Sequence, residues 1–377
     1  MLKSKIVYFC LFAALASLLP FLAIYYNAIG LSGKTIGLLT GIPPLITLAA
    51  APLWGGWADA TNQHKRLLML AMGAALAVVF VLSHAATFLW LLPLVMAYAF
   101  VSAPIIPLVD NSVLELLGAR RAEYGKVRLW GSVGWGVVAT LIGVAIQRTG
   151  LQWAFYGYLI FMGGALLVVA SMHVSSSPIG GAFWQGLRLF ARSRAWGVFL
   201  ATAFLIGVAM GVTNNFLLLR LQGMGAGEGL MGLSMLFATF SELPVFFFAD
   251  RFLKRWGARW VLLGAIFLYA VRMFAYAAMP ATWMVLPINL LHGLTFAAAW
   301  AAGVAYAHDL APEGMGATAQ GLFNGMTMGL GAATGAFIGG LLYDGVGAAA
   351  MFMWVGIGLL IGALGFALAA RKEIERG

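Results

Sequence analysis

Twelve stretches of this chain are apolar almost without interruption: 6–28, 35–58, 67–84, 88–117, 127–147, 152–172, 195–221, 228–251, 258–278, 282–308, 317–343 and 347–370. Each is close to or longer than the roughly 17–25 residues a helix needs to cross a bilayer. Polar residues gather in the short gaps between them. The pattern predicts an all-α, polytopic membrane protein with twelve transmembrane helices. The longest stretch without a spanning pattern is 173–194, HVSSSPIGGAFWQGLRLFARSR, rich in Ser, Gly and basic residues. It divides six helices from six: an N-terminal bundle over 1–172, a central cytoplasmic linker over 173–194 and a C-terminal bundle over 195–377. Pro20, Pro43, Pro44, Pro52, Pro104, Pro107 and Pro244 interrupt the runs, and neighbouring groups must satisfy the carbonyls they free.

A few ionisable residues break the apolar pattern. Asp110, Arg128, Glu242, Arg272 and His292 each lie inside a spanning run. An Arg or Asp at bilayer depth costs at least about 2.5 to 3.5 kcal/mol, so it persists where a partner, water or a substrate compensates. These five residues mark a polar site inside the membrane.

Composition narrows the class further. The 377 residues are 63% hydrophobic and 9% charged, with a mean hydropathy of +0.95, whereas soluble domains carry about 25% charged residues. The one cysteine, Cys10, excludes a disulfide framework and a thiolate metal cluster. No nucleotide loop, metal-ligand spacing or nucleophile–base constellation is present, so neither a cofactor, a metal nor an enzymatic activity is expected. The formal net charge is +10. Counting loops on alternate sides places seventeen of the 22 Lys and Arg residues on one face and only Lys34, Arg148 and Arg220 on the other, with Arg128 and Arg272 inside spans. By the positive-inside rule both termini are cytoplasmic, and the charge reports topology rather than nucleic-acid binding.

The two halves repeat one another. PLWGGWADATNQHKR follows the second run and ELPVFFFADRFLKRWGAR the eighth, placing Asp59 and Asp250 191 residues apart. The same offset carries Gly125 onto Gly316, each opening a glycine-rich run. Gly55, Asp59, Lys65 and Arg66 in the first half, and more weakly Asp250 and Arg251 in the second, are similar to the cytoplasmic signature of the major facilitator superfamily, a carboxylate near a helix end followed by loop cations. Such a pairing is a latch that releases when the halves rock. Parallel six-helix repeats with a midplane site are the organisation of that superfamily.

Asp110 and Arg128 fall on adjacent antiparallel runs, where carboxylate and guanidinium can face each other. Arg offers a planar fork that binds a carboxylate or hydroxyls bidentately. Trp135, seven residues after Arg128, lies two turns along the same face and offers an aromatic surface. Asn27, Asn214 and Asn215 are further candidates to hydrogen-bond a substrate. PIIPLVDNSV with GKVRLWGSVGWG resembles the matching helices of the lactose permease family and, more closely, the phenylpropionate permease branch, and it is similar to the nucleoside–proton symporters. The resemblance implies a sugar-site role for Asp110, Arg128 and Trp135. It also sets Glu242, Arg272 and His292 at the positions that couple proton to substrate in the lactose permease family. This chain departs from that family in carrying Thr295 one turn after His292 where a carboxylate stands, and Thr213, Asn214 and Asn215 where the seventh helix carries acids. That moves the proton-carrying role to Glu242 or Asp110.

The expected function is secondary active transport, proton-coupled symport of a small organic solute by alternating access, in a bacterial inner membrane and as a monomer. An aromatic carboxylate, a nucleoside or a sugar are the candidate solutes. The alternative is proton-driven efflux of hydrophobic compounds.

Overall fold

A computed structural model describes residues 1–172, 190, 193–312 and 315–374. Apart from Phe190, Ser193 and Arg194, the expected linker 173–194 lies outside the described residues. Helix accounts for nearly all of them, and no strand occurs among them. Eleven helical stretches are long and apolar enough to cross a bilayer. Ten are α1 (Leu2–Ala28), α2 (Gly33–Thr61), α3 (His64–Leu82), α4 (Phe88–Leu117), α5 (Tyr124–Thr149), α6 (Gln152–Ala170), α7 (Arg194–Gly223), α8 (Glu228–Trp256), α9 (Ala258–Ala278) and α10 (Thr282–Asp309). The last, Thr318–Leu368, has 51 residues, far more than one crossing needs. It breaks at Gly347, whose φ of 82° and ψ of 165° a side chain would oppose. The stretch is therefore two helices, α11 over 318–346 and α12 over 348–368, which completes the twelve crossings expected from the apolar pattern.

Of the described residues, one compact unit holds those of Met1–Leu31, Ile42–Gly180 and Leu221–Leu236, and a second holds those of Ser32–Gly41, Gly181–Arg220 and Phe237–Gly377. In the first unit α1 is the central helix and packs along α5 and α6. Small residues allow the approach: a Cβ on Gly134 of α5 would overlap the Phe9 carbonyl of α1, and one on Gly157 of α6 would meet the Ser17 hydroxyl. In the second unit α9 packs along α12, with the Tyr276 ring 5.3 Å from that of Phe352. Buried Trp196 donates through Nε1 to the Leu310 carbonyl at 2.8 Å, tying the start of α7 to the end of α10. Leu89, Leu167 and Phe247 are among the large apolar side chains left exposed. Such all-round apolar helices suit a lipid solvent.

Irregular helix lies beside two of the ionisable residues, Asp110 and His292. α4 turns at Ala103 and Pro104, just before the segment that carries Asp110. α10 begins with a 3₁₀ turn at Thr282–Met284, continues through Val285–Asn289, turns again, and widens into a π segment at Gly293–Ala297 immediately after His292. α11 has a second π segment at Gly325–Gly331. Widened turns of this kind free backbone groups and are frequent at functional sites. One freed group is the Gly293 N–H, which donates to the Ser241 hydroxyl of α8 at 2.9 Å. Ser241 in turn donates to the Ala238 carbonyl at 2.6 Å. A Cβ on Gly293 would overlap the Ser241 carbonyl, so this glycine lets α8 and α10 approach closely here.

Candidate functional site

Two polar clusters lie within the spans, one in each compact unit. In the first, Asp110 of α4 and Arg128 of α5 form an ion pair, with Arg128 Nε 3.8 Å from Asp110 Oδ1. The side chains keep 32% and 29% of their exposure, so neither is sealed in the core. Tyr8 of α1 donates its hydroxyl to the same Asp110 oxygen at 2.5 Å and lies 3.4 Å from the Tyr124 hydroxyl. The guanidinium of Arg128 rests over two α1 rings, 4.2 Å from the Phe12 centroid and 5.2 Å from that of Tyr8. Cations over aromatic faces gain about 0.5–2 kcal/mol. Gly131 leaves the space for this stack, since a Cβ there would sit 2.9 Å from the Phe12 ring and 3.1 Å from an Arg128 terminal nitrogen.

Asp110 is thus held by one hydroxyl and one cation. The two terminal nitrogens of Arg128 make no hydrogen bond among the described residues, so its fork is available to a ligand. Trp135 is half-buried two turns further along α5, outside these bonds.

In the second unit, Arg272 of α9 is 2% exposed and held on several sides by α10. Its Nη1 donates to His292 Nδ1 at 2.6 Å and to Thr295 Oγ1 at 3.2 Å, and its Nη2 donates to Asn289 Oδ1 at 3.0 Å. Tyr276 donates its hydroxyl to the same Asn289 oxygen. On its other edge His292 Nε2 meets Glu242 Oε1 of α8 at 3.0 Å. Guanidinium nitrogens only donate, so His292 Nδ1 must be the acceptor in its bond with Arg272. The bonding therefore assigns a neutral imidazole with its proton on Nε2, donating to Glu242. Phe296, one turn on, stacks against the imidazole with centroids 5.2 Å apart.

The three expected coupling residues stand as a chain, Glu242–His292–Arg272, with the imidazole between acid and guanidinium. Thr295 occupies the position where the lactose permease family carries an acid, and it supplies a hydroxyl acceptor to Arg272. Asn289, Tyr276 and Ser241 join this cluster, as Tyr8, Phe12 and Tyr124 join the first.

The remaining candidates lie elsewhere. Asn27 donates to Gln222 Oε1 at 3.1 Å on an exposed surface. Asn214 is exposed, and Asn215 donates back to the Gly211 carbonyl of its own helix at 2.7 Å. At the cytoplasmic motif, Asp59 meets His64 Nε2 at 3.1 Å. Lys65 instead donates to the Ala170 and Met172 carbonyls at 2.7 and 2.6 Å, closing the end of α6. Arg66 donates to Gln63 at 3.4 Å. Gly55 has open space around its Cα. In the second half Asp250 pairs with Lys254 at 3.3 Å, with both side chains largely exposed, and Arg251 lies over the Phe248 ring. Among the described residues no group of three or more His, Cys, Asp or Glu is placed to hold a metal.

Twelve apolar helices with paired ionisable clusters inside them define a membrane carrier rather than an enzyme. The chain belongs to the MFS_1 like family, whose sequence model matches residues 1–354. It is 31% identical over 376 residues to the maltose permease of Geobacillus stearothermophilus, covering 98% of this chain and 94% of that one. It is 27% identical over 315 residues to a probable 3-phenylpropionic acid transporter of Escherichia coli (strain K12), covering 79% and 80%. The crystal structure of the nucleoside transporter NupG shares the fold with a TM-score of 0.86 at 16% identity, over 97% of this chain and 98% of that one. The protein is a major facilitator superfamily transporter of a small-molecule solute.

Proposed function

We propose that the protein is a proton-coupled importer of a small, neutral, hydroxyl-bearing solute, a sugar or a nucleoside. It works as a monomer by alternating access between two six-helix halves, 1–172 and 195–377, joined by 173–194. It sits in a bacterial inner membrane with both termini in the cytoplasm. The observation that carries this reading is the uncommitted guanidinium fork of Arg128, exposed beside Asp110 and backed by Phe12 and Tyr8. A fork of donors next to a carboxylate acceptor matches vicinal hydroxyls, which both donate and accept.

Charge balance favours a neutral solute over an anion. Each cluster pairs one arginine with one carboxylate, Arg128 with Asp110 and Arg272 with Glu242 through His292. A carboxylate solute entering either cluster would add an uncompensated negative charge in a low-dielectric setting. The likeness to a maltose permease supports a sugar.

The chain Glu242–His292–Arg272 supports proton coupling. A proton added at His292 Nδ1 displaces Arg272 Nη1 from its acceptor. A proton added at Glu242 removes the charge that faces the imidazole. Either event changes how Arg272 is held, and Arg272 anchors α9 to α10. Occupancy by a proton thereby selects between arrangements of these helices, which is the differential interaction a coupled carrier requires.

The test is uptake of labelled maltose, uridine and 3-phenylpropionate into proteoliposomes with and without an inward proton gradient. Gradient-stimulated uptake of maltose or uridine is expected. Uptake of 3-phenylpropionate alone would replace the neutral-solute reading, and uptake indifferent to the gradient would remove proton coupling.

A further inference from the structure

We infer that Asp344, Gln147 and the Asn27–Gln222 pair are three clasps that hold helix ends from the two sequence halves together on the outer face, and that outward opening breaks all three. The inference rests on the alternating-access reading and on the topology with cytoplasmic termini. That topology puts the starts of α2 and α8 and the ends of α1, α5, α7 and α11 on the outer side.

Asp344 lies at the end of α11, just before the break at Gly347. It accepts the Gly33 N–H at Oδ1 and the Lys34 N–H at Oδ2, each at 2.8 Å. These are the first N–H groups of α2, which have no partner within their own helix. The carboxylate also complements the positive end of the helix dipole. In the other compact unit Gln147, near the end of α5, accepts the Gly229 N–H of the first turn of α8 at 3.0 Å. The third contact joins the ends of α1 and α7 through Asn27 and Gln222, at 3.1 Å.

The three are related by the internal repeat. Asn27 and Gln222 are 195 positions apart, and the pairs Gly33 with Gly229 and Gln147 with Asp344 keep close to that spacing. The Asp344 and Gln147 caps are thus two copies of one device, and Asn27 with Gln222 is the meeting of two equivalent positions. Behind each cap the backbones touch: a Cβ on Gly340 of α11 would overlap the Gly33 carbonyl, and one on Gly232 of α8 would overlap the Ala139 carbonyl. The caps differ in charge. Asp344 brings a full negative charge to its helix end and Gln147 only an amide dipole, so the Asp344 clasp holds more strongly. The Gln147 cap and the Asn27–Gln222 pair lie at exposed positions and the Asp344 cap is partly so, which suits contacts that must part in every cycle.

The test measures distances between spin labels in solute-free protein on a Cys10→Ser background. One pair is attached at the outer positions Ala86→Cys and Trp283→Cys, the other at the cytoplasmic positions Gln63→Cys and Arg255→Cys. Asp344→Ala and Gln147→Ala are each expected to move part of the outer-pair population to longer distances. The effect should be larger for Asp344→Ala, largest for the two together, and intermediate for the isosteric Asp344→Asn. An outer distribution in the combined variant identical to that of the parent overturns the clasps. If the outer pair lengthens while the cytoplasmic pair does not shorten, the clasps stand and the alternating-access reading fails.

Discussion

Arg272 donates through Nη1 to His292 Nδ1 at 2.6 Å, and this bond dictates where the imidazole keeps its proton. Because the guanidinium cannot accept, His292 must present a lone pair to it and its N–H to Glu242. A His292→Asn variant keeps a short acceptor near Nδ1 and loses the donor to Glu242. It is expected to retain solute exchange across the membrane at zero gradient while losing gradient-driven accumulation, measured as counterflow against active uptake in vesicles. Equal loss of both would mean that His292 serves solute binding rather than coupling.

Arg128→Lys keeps the charge and removes the fork. Bonds to a charged donor contribute about 1.5–3 kcal/mol, and each 1.4 kcal/mol is tenfold in affinity. Solute affinity by isothermal calorimetry should weaken by at least about tenfold, with only a small drop in melting temperature from the lost Nε pair and ring stack, because the terminal nitrogens make no hydrogen bond among the described residues.

Tyr8→Phe removes the hydroxyl that meets Asp110 at 2.5 Å and leaves the ring under Arg128. With one fewer donor, Asp110 is expected to draw Arg128 closer and withdraw the fork from solute. Affinity should fall several-fold. The combined Tyr8→Phe, Asp110→Asn variant should fall no further than Asp110→Asn alone, the non-additivity expected of residues acting through one contact.

Asn289→Ala strands two buried donors, Arg272 Nη2 and the Tyr276 hydroxyl, which share the Asn289 oxygen. Leaving a buried donor unsatisfied costs about 1–3 kcal/mol. A lowered melting temperature is expected, whereas Asn289→Asp keeps the acceptor and should restore the stability. Thermal unfolding of both variants by tryptophan fluorescence distinguishes these outcomes.

The crossings were legible because membrane helices announce themselves by unbroken apolar length. The break between α11 and α12, at Gly347, falls on the first residue of the run 347–370, one position past the gap 344–346. Asp110, Arg128, Glu242, Arg272 and His292 stood out because charge is costly at bilayer depth. Their partners did not. Tyr8, Tyr124, Ser241, Tyr276 and Asn289 are ordinary in spans, and only tertiary contact distinguishes them from packing residues. Tyr8 and Phe12 do share a face of α1 one turn apart, a faint signal for the stack on Arg128. The widened turn after His292 has no proline inside it, so no local rule predicted it. Asp59 meeting His64, with Lys65 turned to the α6 carbonyls, reflects the pull of unsatisfied helix-end carbonyls on a nearby ammonium.

Solute entry at Arg128 is proposed to be tied to entry of a proton at the Glu242–His292–Arg272 chain. This coupling is tested most directly by adding solute to de-energised, lightly buffered proteoliposomes and recording external pH. The expected result is alkalinisation that tracks solute entry and disappears in Glu242→Gln while solute exchange continues. Solute entry with no change in pH, or alkalinisation that persists in Glu242→Gln, would contradict it.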